Sequence, residues 1–191
     1  TVMVDIKDEF VDCGMDTIRN NLERQVKKEK ISHTDMDSSL EKIEIGTDYT
    51  KVSTCDLVVE AATENEEIKL DIFKKLDHIC QQSAILASNT SSISITKIAE
   101  ATNRPEQVIG MHFMNPVPIM KLVEIVRGKK TDDTTTNEVV YLSEKMGKIP
   151  IKCNDSPGFI SNRILMPMIN EAIFCLEEGV GSPESIDSIM T

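Results

Sequence analysis

Residues 108–126, VIGMHFMNPVPIMKLVEIV, place a histidine and a glutamate on two adjacent apolar segments. Residues 108–114 and 121–126 are rich in Val, Ile and Phe, and they predict two β-strands. The connecting residues 115–120 contain two prolines and can continue neither strand. The segment therefore predicts two strands that could pair as a hairpin about a Pro-rich turn.

Such a hairpin would bring an imidazole and a carboxylate together. His112 would lie opposite Val123 or Glu124, and neighbouring strands are only about 4.8 Å apart. A carboxylate beside a histidine raises its basicity and fixes its tautomer, as a general base requires. A core histidine with a satisfied polar partner is the alternative, because purely structural ion pairs are common. His33 and His78 have no matching partner nearby in the sequence, so we expect surface or packing roles for them.

The rest of the first 154 residues alternates strands with helices. Short apolar runs predict strands, and longer runs with apolar residues three and four apart predict helices. This alternation is typical of an α/β fold with a largely parallel, doubly wound sheet. Strands are predicted at 1–4, 43–45, 57–60, 84–87 and 149–153, helices at 14–30, 64–79, 94–100 and 132–146, and a polar loop at 32–39.

A domain boundary is predicted at residues 154–158, NDSPG, which are typical of a turn. Beyond it, residues 159–178 predict one long helix, in which Pro167 should cause a kink or remove a hydrogen bond. Ser182 could cap another helix that begins at Pro183. We therefore predict one α/β domain at 1–154 and the start of an all-helical domain at 155–191.

Composition narrows the classes of partner. The chain has 191 residues and a formal net charge of −11, which argues against nucleic acid or an anionic membrane as a general partner. The five cysteines are far apart and show no spacing typical of a metal site or a disulfide framework. No apolar run approaches the roughly 20 residues of a membrane span. We therefore expect no metal, no nucleic acid and no membrane as partners.

Three polar features follow predicted strands or turns, where doubly wound folds bind ligands. Asp5 ends the first strand and could accept hydrogen bonds from ribose hydroxyls, or could be a turn residue. SNTSS, 88–92, follows a buried strand and could contact a ligand or cap the next helix. Asn162 and Arg163 open the long helix and could face a cleft or simply the surface. The chain contains no GxGxxG, which would be expected about 20 residues before Asp5.

Four longer motifs stand out: LVVEAATEN (57–65), ASNTSS (87–92), GMHFMNPVPIMKLVEIV (110–126) and DSPGFISNRILMPMINEA (155–172). Together they resemble the L-3-hydroxyacyl-CoA dehydrogenase family, including its 3-hydroxybutyryl-CoA dehydrogenases. The resemblance covers essentially the whole chain and implies a Rossmann-like domain followed by the first helix or helices of an all-α C-terminal domain. Relative to the family, we expect a chain truncated at both ends. The first strand, the glycine-rich loop, the first helix and most of the helical domain would then lie outside residues 1–191.

The resemblance also implies roles for individual residues. His112 resembles the catalytic base and Glu124 the residue that orients it. The implied substrate-binding residues are Ser91, Asn115 and Asn162, with Lys28 and Asn21 on the helix that holds the CoA nucleotide. The implied cofactor-binding residues are Asp5, Glu64, Lys69, Asn89, Ser91 and Asn115.

The implied activity is NAD-dependent oxidation of an L-3-hydroxyacyl-CoA, or its reversal, in fatty-acid or butanoate metabolism. The family implies a homodimer, in the cytoplasm of a bacterium or in the mitochondrial matrix or peroxisome of a eukaryote. Any targeting segment would lie upstream of Thr1. Three alternatives stay open: a dehydrogenase of a free 3-hydroxy acid, a structural or binding homologue, and a fusion with an enoyl-CoA hydratase. Without the glycine-rich loop, we also expect residues 1–191 alone to bind NAD weakly and to be nearly inactive.

Overall fold

The computed structural model describes residues 1–190. In this range the chain forms seven strands and seven α-helices. The strands are β1 (Val2–Val4), β2 (Glu44–Gly46), β3 (Leu57–Glu60), β4 (Ile85–Ser88), β5 (Val108–Phe113), β6 (Leu122–Arg127) and β7 (Ile149–Asn154). The helices are α1 (Asp8–Lys27), α2 (His33–Glu41), α3 (Glu66–Ile79), α4 (Ile95–Glu100), α5 (Asp133–Lys145), α6 (Ser161–Glu177) and α7 (Pro183–Met190).

The strands form two sheets. Five of them are hydrogen-bonded in the order β3-β4-β5-β6-β7, and all neighbours are parallel except β5 and β6. The remaining two, β1 and β2, pair in parallel with each other. Within residues 1–190, no strand joins β1 to β3. The predicted Rossmann-like α/β sheet followed by helices is confirmed, and so is the antiparallel hairpin.

Apolar side chains pack on both faces of the larger sheet. Successive residues of β4 alternate between two core clusters, because strand side chains alternate between faces. Leu86 belongs to the cluster that includes Phe73 and Ile98 of α3 and α4. Ile85 belongs to the cluster that includes Val139 of α5. Burial of both faces explains why the parallel strands are nearly continuous apolar runs.

One helix start and one whole element in the N-terminal part differ from the prediction. The first helix begins at Asp8 rather than at residue 14, and acidic residues in its first turn favour this start. The prediction of a polar loop at 32–39 is wrong, because α2 occupies His33–Glu41. Ser32 and Asp35 form a capping box, in which each side chain accepts a hydrogen bond from the other residue's backbone N–H. This capping compensates for the low apolar content that suggested a loop.

The turn between β7 and α6 has a conformation that needs glycine. Gly158 has a φ of +76°, and a Cβ there would lie 2.9 Å from the backbone nitrogen of Arg163. The following helix α6 is not interrupted at Pro167, which removes one N–H donor from it. Further on, the Ser182 hydroxyl accepts a hydrogen bond from the Ser185 backbone N–H at 3.2 Å, as its predicted capping role requires. Across residues 1–190, every helix is too short or too polar to span a membrane.

Candidate active site

The central pair of the site lies on the β5–β6 hairpin, one residue pair from its turn end. In the antiparallel register His112 is opposite Glu124, one of the two expected partners. The Nδ1 atom of His112 lies 2.8 Å from Oε2 of Glu124. Both residues are buried, with 8% and 2% of their surfaces exposed. The Phe159 ring packs edge-on against the imidazole, with 5.7 Å between ring centroids.

The Glu124 carboxylate is also tied to the start of α6. Its Oε1 accepts the backbone N–H groups of Ile160 and Ser161 at 3.0 and 2.9 Å, and its Oε2 accepts the Ser161 hydroxyl at 2.8 Å. Burial raises the pKa of Glu124, but the hydrogen bonds from His112, Ser161 and Ile160 outweigh it, and the pKa lies below its usual range. An ionised carboxylate only accepts hydrogen bonds, so Nδ1 of His112 carries the proton. The Nε2 lone pair is then available to a substrate.

A second carboxylate organises the SNTSS turn after β4. Oε1 of Glu64 accepts hydrogen bonds from the Thr90 hydroxyl at 2.6 Å and from the backbone N–H groups of Ser91 and Ser92 at 2.9 and 3.0 Å. Both serine hydroxyls also donate to it. Partial burial raises the pKa of Glu64, but the hydrogen bonds from Thr90, Ser92 and Ser91 lower it to about 2. The turn is therefore held by an ionised carboxylate.

Behind Glu64 lies a buried lysine. Lys69 is 1% exposed, and its ammonium group donates to both carboxylate oxygens of Glu60, at 2.8 and 3.0 Å, and to the Ala62 carbonyl at 3.3 Å. It lies 3.7 Å from Oε2 of Glu64. The Ser88 hydroxyl completes the cluster by donating to Glu60 at 2.7 Å. The structure thus places Lys69 as a support behind the turn, with its charge turned toward two carboxylates.

Two asparagines connect the SNTSS turn to the rest of the site. The Asn89 side-chain oxygen accepts the backbone N–H of Phe113, next to His112, at 2.9 Å. The side-chain amide of Asn162 donates to the Ser91 carbonyl at 3.3 Å, which joins α6 to the turn. The structure therefore brings the predicted site residues His112, Glu124, Ser91, Asn89 and Asn162 together with Glu64, and Lys69 lies behind Glu64.

The Pro-rich turn after β5 contains Asn115, which is exposed. Lys148 secures this turn, because its ammonium group donates to the carbonyls of Val117 and Met120, the second at 2.8 Å. Sequence reasoning missed Lys148 and also missed Glu60 and Ser161. Only Glu60 left a signal, since it is a charged residue that closes the buried run LVVE.

The remaining predicted residues lie on the N-terminal part. Asp5 follows β1, is exposed, and accepts the backbone N–H of Ile6 at 2.6 Å. Asn21 lies on α1 and donates to the Thr17 carbonyl at 3.0 Å, a contact within its own helix. Lys28 ends α1 with an exposed side chain. Neither contact joins Asp5 or Asn21 to the His112 pair, and the ligand roles of all three residues stay predictions.

The lowered pKa of Glu64 predicts a pH-dependent contribution to stability. A depressed carboxyl pKa stabilises the fold above the ordinary value of 4.5, and this is lost as the pH falls through about 2. Glu64→Gln should therefore lower the melting temperature more near neutral pH than at about pH 3. Glu67→Gln, at an exposed position in the first turn of α3, is the matched control. An equal effect of Glu64→Gln at both pH values would contradict the prediction.

Together, the fold and the site define a Rossmann-like α/β protein with a buried histidine–carboxylate pair. Residues 1–156 match the family described as 3-hydroxyacyl-CoA dehydrogenase, NAD binding domain, and residues 158–191 match the C-terminal domain of that family. The chain therefore belongs to the 3-hydroxyacyl-CoA dehydrogenase family, as the motifs suggested. The matched N-terminal domain is the one that binds NAD.

Three relatives illustrate the similarity. A probable 3-hydroxybutyryl-CoA dehydrogenase of Deinococcus radiodurans is 53% identical over 189 residues, which cover 99% of this chain and 68% of the relative. A protein of the same description from Bacillus subtilis is 50% identical, over 98% of this chain and 66% of the relative. The crystal structure of (S)-3-hydroxybutyryl-CoA dehydrogenase from Ralstonia eutropha superposes with a TM-score of 0.94 at 52% identity, over 96% of this chain and 65% of that one. The chain spans about two thirds of the length of these relatives.

Proposed function

We propose that the whole protein oxidises the 3-hydroxyl group of an L-3-hydroxyacyl-CoA to a 3-oxoacyl-CoA with NAD, or catalyses the reverse reduction. The observation that carries the proposal is the buried contact of 2.8 Å between Nδ1 of His112 and Glu124. The names of the three relatives support the same substrate class, since two are described as probable 3-hydroxybutyryl-CoA dehydrogenases and the third as (S)-3-hydroxybutyryl-CoA dehydrogenase.

In this mechanism His112 is the base and Glu124 is its positioning residue. Nε2 of His112 removes the proton of the 3-hydroxyl group as the hydride leaves C3, so the C3–O bond becomes a carbonyl. Bound NAD supplies the hydride acceptor. The negative charge of Glu124 stabilises the imidazolium that forms and keeps Nδ1 as the donor. Two electrons leave C3 with the hydride, and the proton remains on His112.

The chemistry of the polar groups fits a dinucleotide and a CoA ester. The Asp5 carboxylate, after β1, can accept hydrogen bonds from ribose hydroxyls. The amide and hydroxyl groups of the turn after β4 lie where doubly wound folds bind ligands. We assign cofactor contacts to Asp5, Glu64, Asn89, Ser91 and Asn115, with Lys69 acting through Glu64. We assign substrate contacts to Ser91, Asn115 and Asn162, with Asn21 and Lys28 toward the CoA nucleotide, whose phosphates suit an exposed ammonium group.

The substrate class is tested by comparing two substrates that share the same 3-hydroxyacyl part, one as the CoA thioester and one as the free acid. NADH formation by the whole protein is followed with (S)-3-hydroxybutyryl-CoA and with free (S)-3-hydroxybutyrate. We expect kcat/KM to be at least about 100-fold higher for the thioester, because binding energy from the remote CoA part contributes to the reaction. Equal values, or a preference for the free acid, would instead favour a dehydrogenase of free 3-hydroxy acids.

A second proposal concerns residues 1–191 by themselves. They contain no GxGxxG loop, and β1 and β3 belong to separate sheets. A pyrophosphate would therefore find no cradle of backbone N–H groups between them. We expect calorimetric titration of this chain with NAD to show binding weaker than micromolar, and micromolar binding would contradict the expectation.

We also propose that the whole protein forms a homodimer and works in the bacterial cytoplasm. Exposed apolar side chains on α6 support association, since Ile164 and Ile173 are 64% and 56% exposed. The relatives named above are bacterial. Light scattering that shows a monomeric whole protein would contradict the dimer.

A further inference from the structure

Ser161 contacts the acid–base pair without being part of it. Its hydroxyl donates to Oε2 of Glu124 at 2.8 Å, and this is the oxygen that also lies 2.8 Å from Nδ1 of His112. The other carboxylate oxygen, Oε1, is held by the backbone N–H groups of Ile160 and Ser161. Among residues 1–190, Ser161 therefore supplies the one side-chain donor to this carboxylate, apart from His112, that a substitution can remove.

We propose that Ser161 is a positioning residue whose hydroxyl shares Oε2 of Glu124 with His112 and thereby moderates the basicity of the imidazole. The proposal rests on the assignment of His112 as the base. It adds that the first residue of α6 sets the pH at which this base becomes available.

The direction of the effect follows from the two carboxylate oxygens. The backbone N–H groups on Oε1 fix the carboxylate orientation, so removal of the Ser161 hydroxyl leaves Glu124 in place. The hydroxyl withdraws part of the negative charge of Oε2, because a donated hydrogen bond stabilises the charged form of an acceptor. Without the Ser161 hydroxyl, more of the negative charge on Oε2 of Glu124 interacts with the imidazolium of His112. The protonated imidazole is then more stable, and the base titrates at a higher pH.

Two further titratable groups lie on β7 and just after it: the Cys153 thiol, which interacts with Glu124, and Asp155, which interacts with Cys153. The Cys153 thiol is buried, and burial, together with the charges of Glu124 and Asp155, raises its pKa to about 11, so it stays neutral near physiological pH. Oδ2 of Asp155 accepts hydrogen bonds from the Ser94 hydroxyl at 2.6 Å and from the Thr96 backbone N–H at 2.9 Å. These groups are the same in all Ser161 variants and cannot produce a difference between them.

The test compares two variants of equal shape, Ser161→Thr and Ser161→Val. Only the threonine keeps a hydroxyl, and valine leaves no polar group to hold a water molecule near Oε2. The imidazole titration of His112 is followed by NMR in the full chain, and its signal is identified by its loss in His112→Gln. We expect the midpoint in Ser161→Val to be higher than in Ser161→Thr by about half a pH unit. Ser161→Thr should match the unsubstituted protein.

A midpoint in Ser161→Val equal to or lower than that in Ser161→Thr would overturn the proposal. If either β-branched variant fails to fold, Ser161→Ala is compared with the unsubstituted protein and the same upward shift is expected. The titration does not depend on turnover. A failed activity assay with the expected shift would reject the proposed function alone, and activity without the shift would reject the role of Ser161 alone.

Discussion

Replacing His112 with glutamine is expected to lower turnover of an L-3-hydroxyacyl-CoA by the whole protein about 100-fold or more. Glutamine approximates the size of the imidazole and can still contact Glu124, but it cannot take a proton from the 3-hydroxyl group. The loss should appear in kcat more than in KM, because the base acts on the reacting atoms in the transition state. Stopped-flow measurement of NADH formation separates the chemical step from product release.

The matched control for this result is His78→Gln. His78 is exposed in the last turn of α3, and the same substitution there should leave kcat unchanged. Circular dichroism should show that both variants keep the fold. Near-normal turnover in His112→Gln would reject His112 as the base.

The largest effect on stability is expected from Lys69→Met. The methionine keeps the apolar stem but removes the ammonium group between Glu60 and Glu64, which lie 2.8 and 3.7 Å away. Breaking a buried ion pair from one side typically costs about 3–5 kcal/mol, because the other charge stays buried without its partner. Urea unfolding near neutral pH should show this loss of free energy. The SNTSS turn should also lose protection from hydrogen exchange, since Glu64 holds it.

Lys75→Met provides the control on the same helix. Lys75 pairs with Asp71 at 2.7 Å, but both side chains are more than half exposed. Exposed pairs contribute about 0–1 kcal/mol, so this variant should be nearly as stable as the original. The double variant Lys69→Met with Glu60→Gln should recover part of the loss, because it removes the unpaired charge. Equal stability of Lys69→Met and Lys75→Met would contradict the buried-pair interpretation.

The sequence was most informative where local pattern determines structure. Alternating apolar strands and a Pro-rich turn predicted the hairpin, and its short connection left only Val123 or Glu124 opposite His112. The alternation of helices and strands likewise predicted the α/β fold, because period and length distinguish the two elements. The helix at His33–Glu41 was missed because its capping box outweighs a polar composition that favours a loop.

Contacts between distant residues could not be predicted in the same way. Ser161 reaches Glu124 across 37 residues, and Glu64 reaches Ser91 across 27. Such contacts depend on where the turns after β4 and β7 lie in the fold. The periodicity of the sequence does not predict these positions, because each contact involves single residues. The resemblance to the family predicted Glu64 and Lys69 as site residues, but only the structure shows that Lys69 is buried behind Glu64.

The central claim, that His112 is a base held by Glu124, is tested most directly by the pH dependence of kcat/KM in Glu124→Gln. Loss of the carboxylate charge makes the imidazolium less stable, so the base loses its proton at a lower pH. The acidic limb of the profile for the whole protein should therefore move down by about one pH unit or more, together with a lower maximum rate. An acidic limb at the same pH as in the unsubstituted protein would contradict the account.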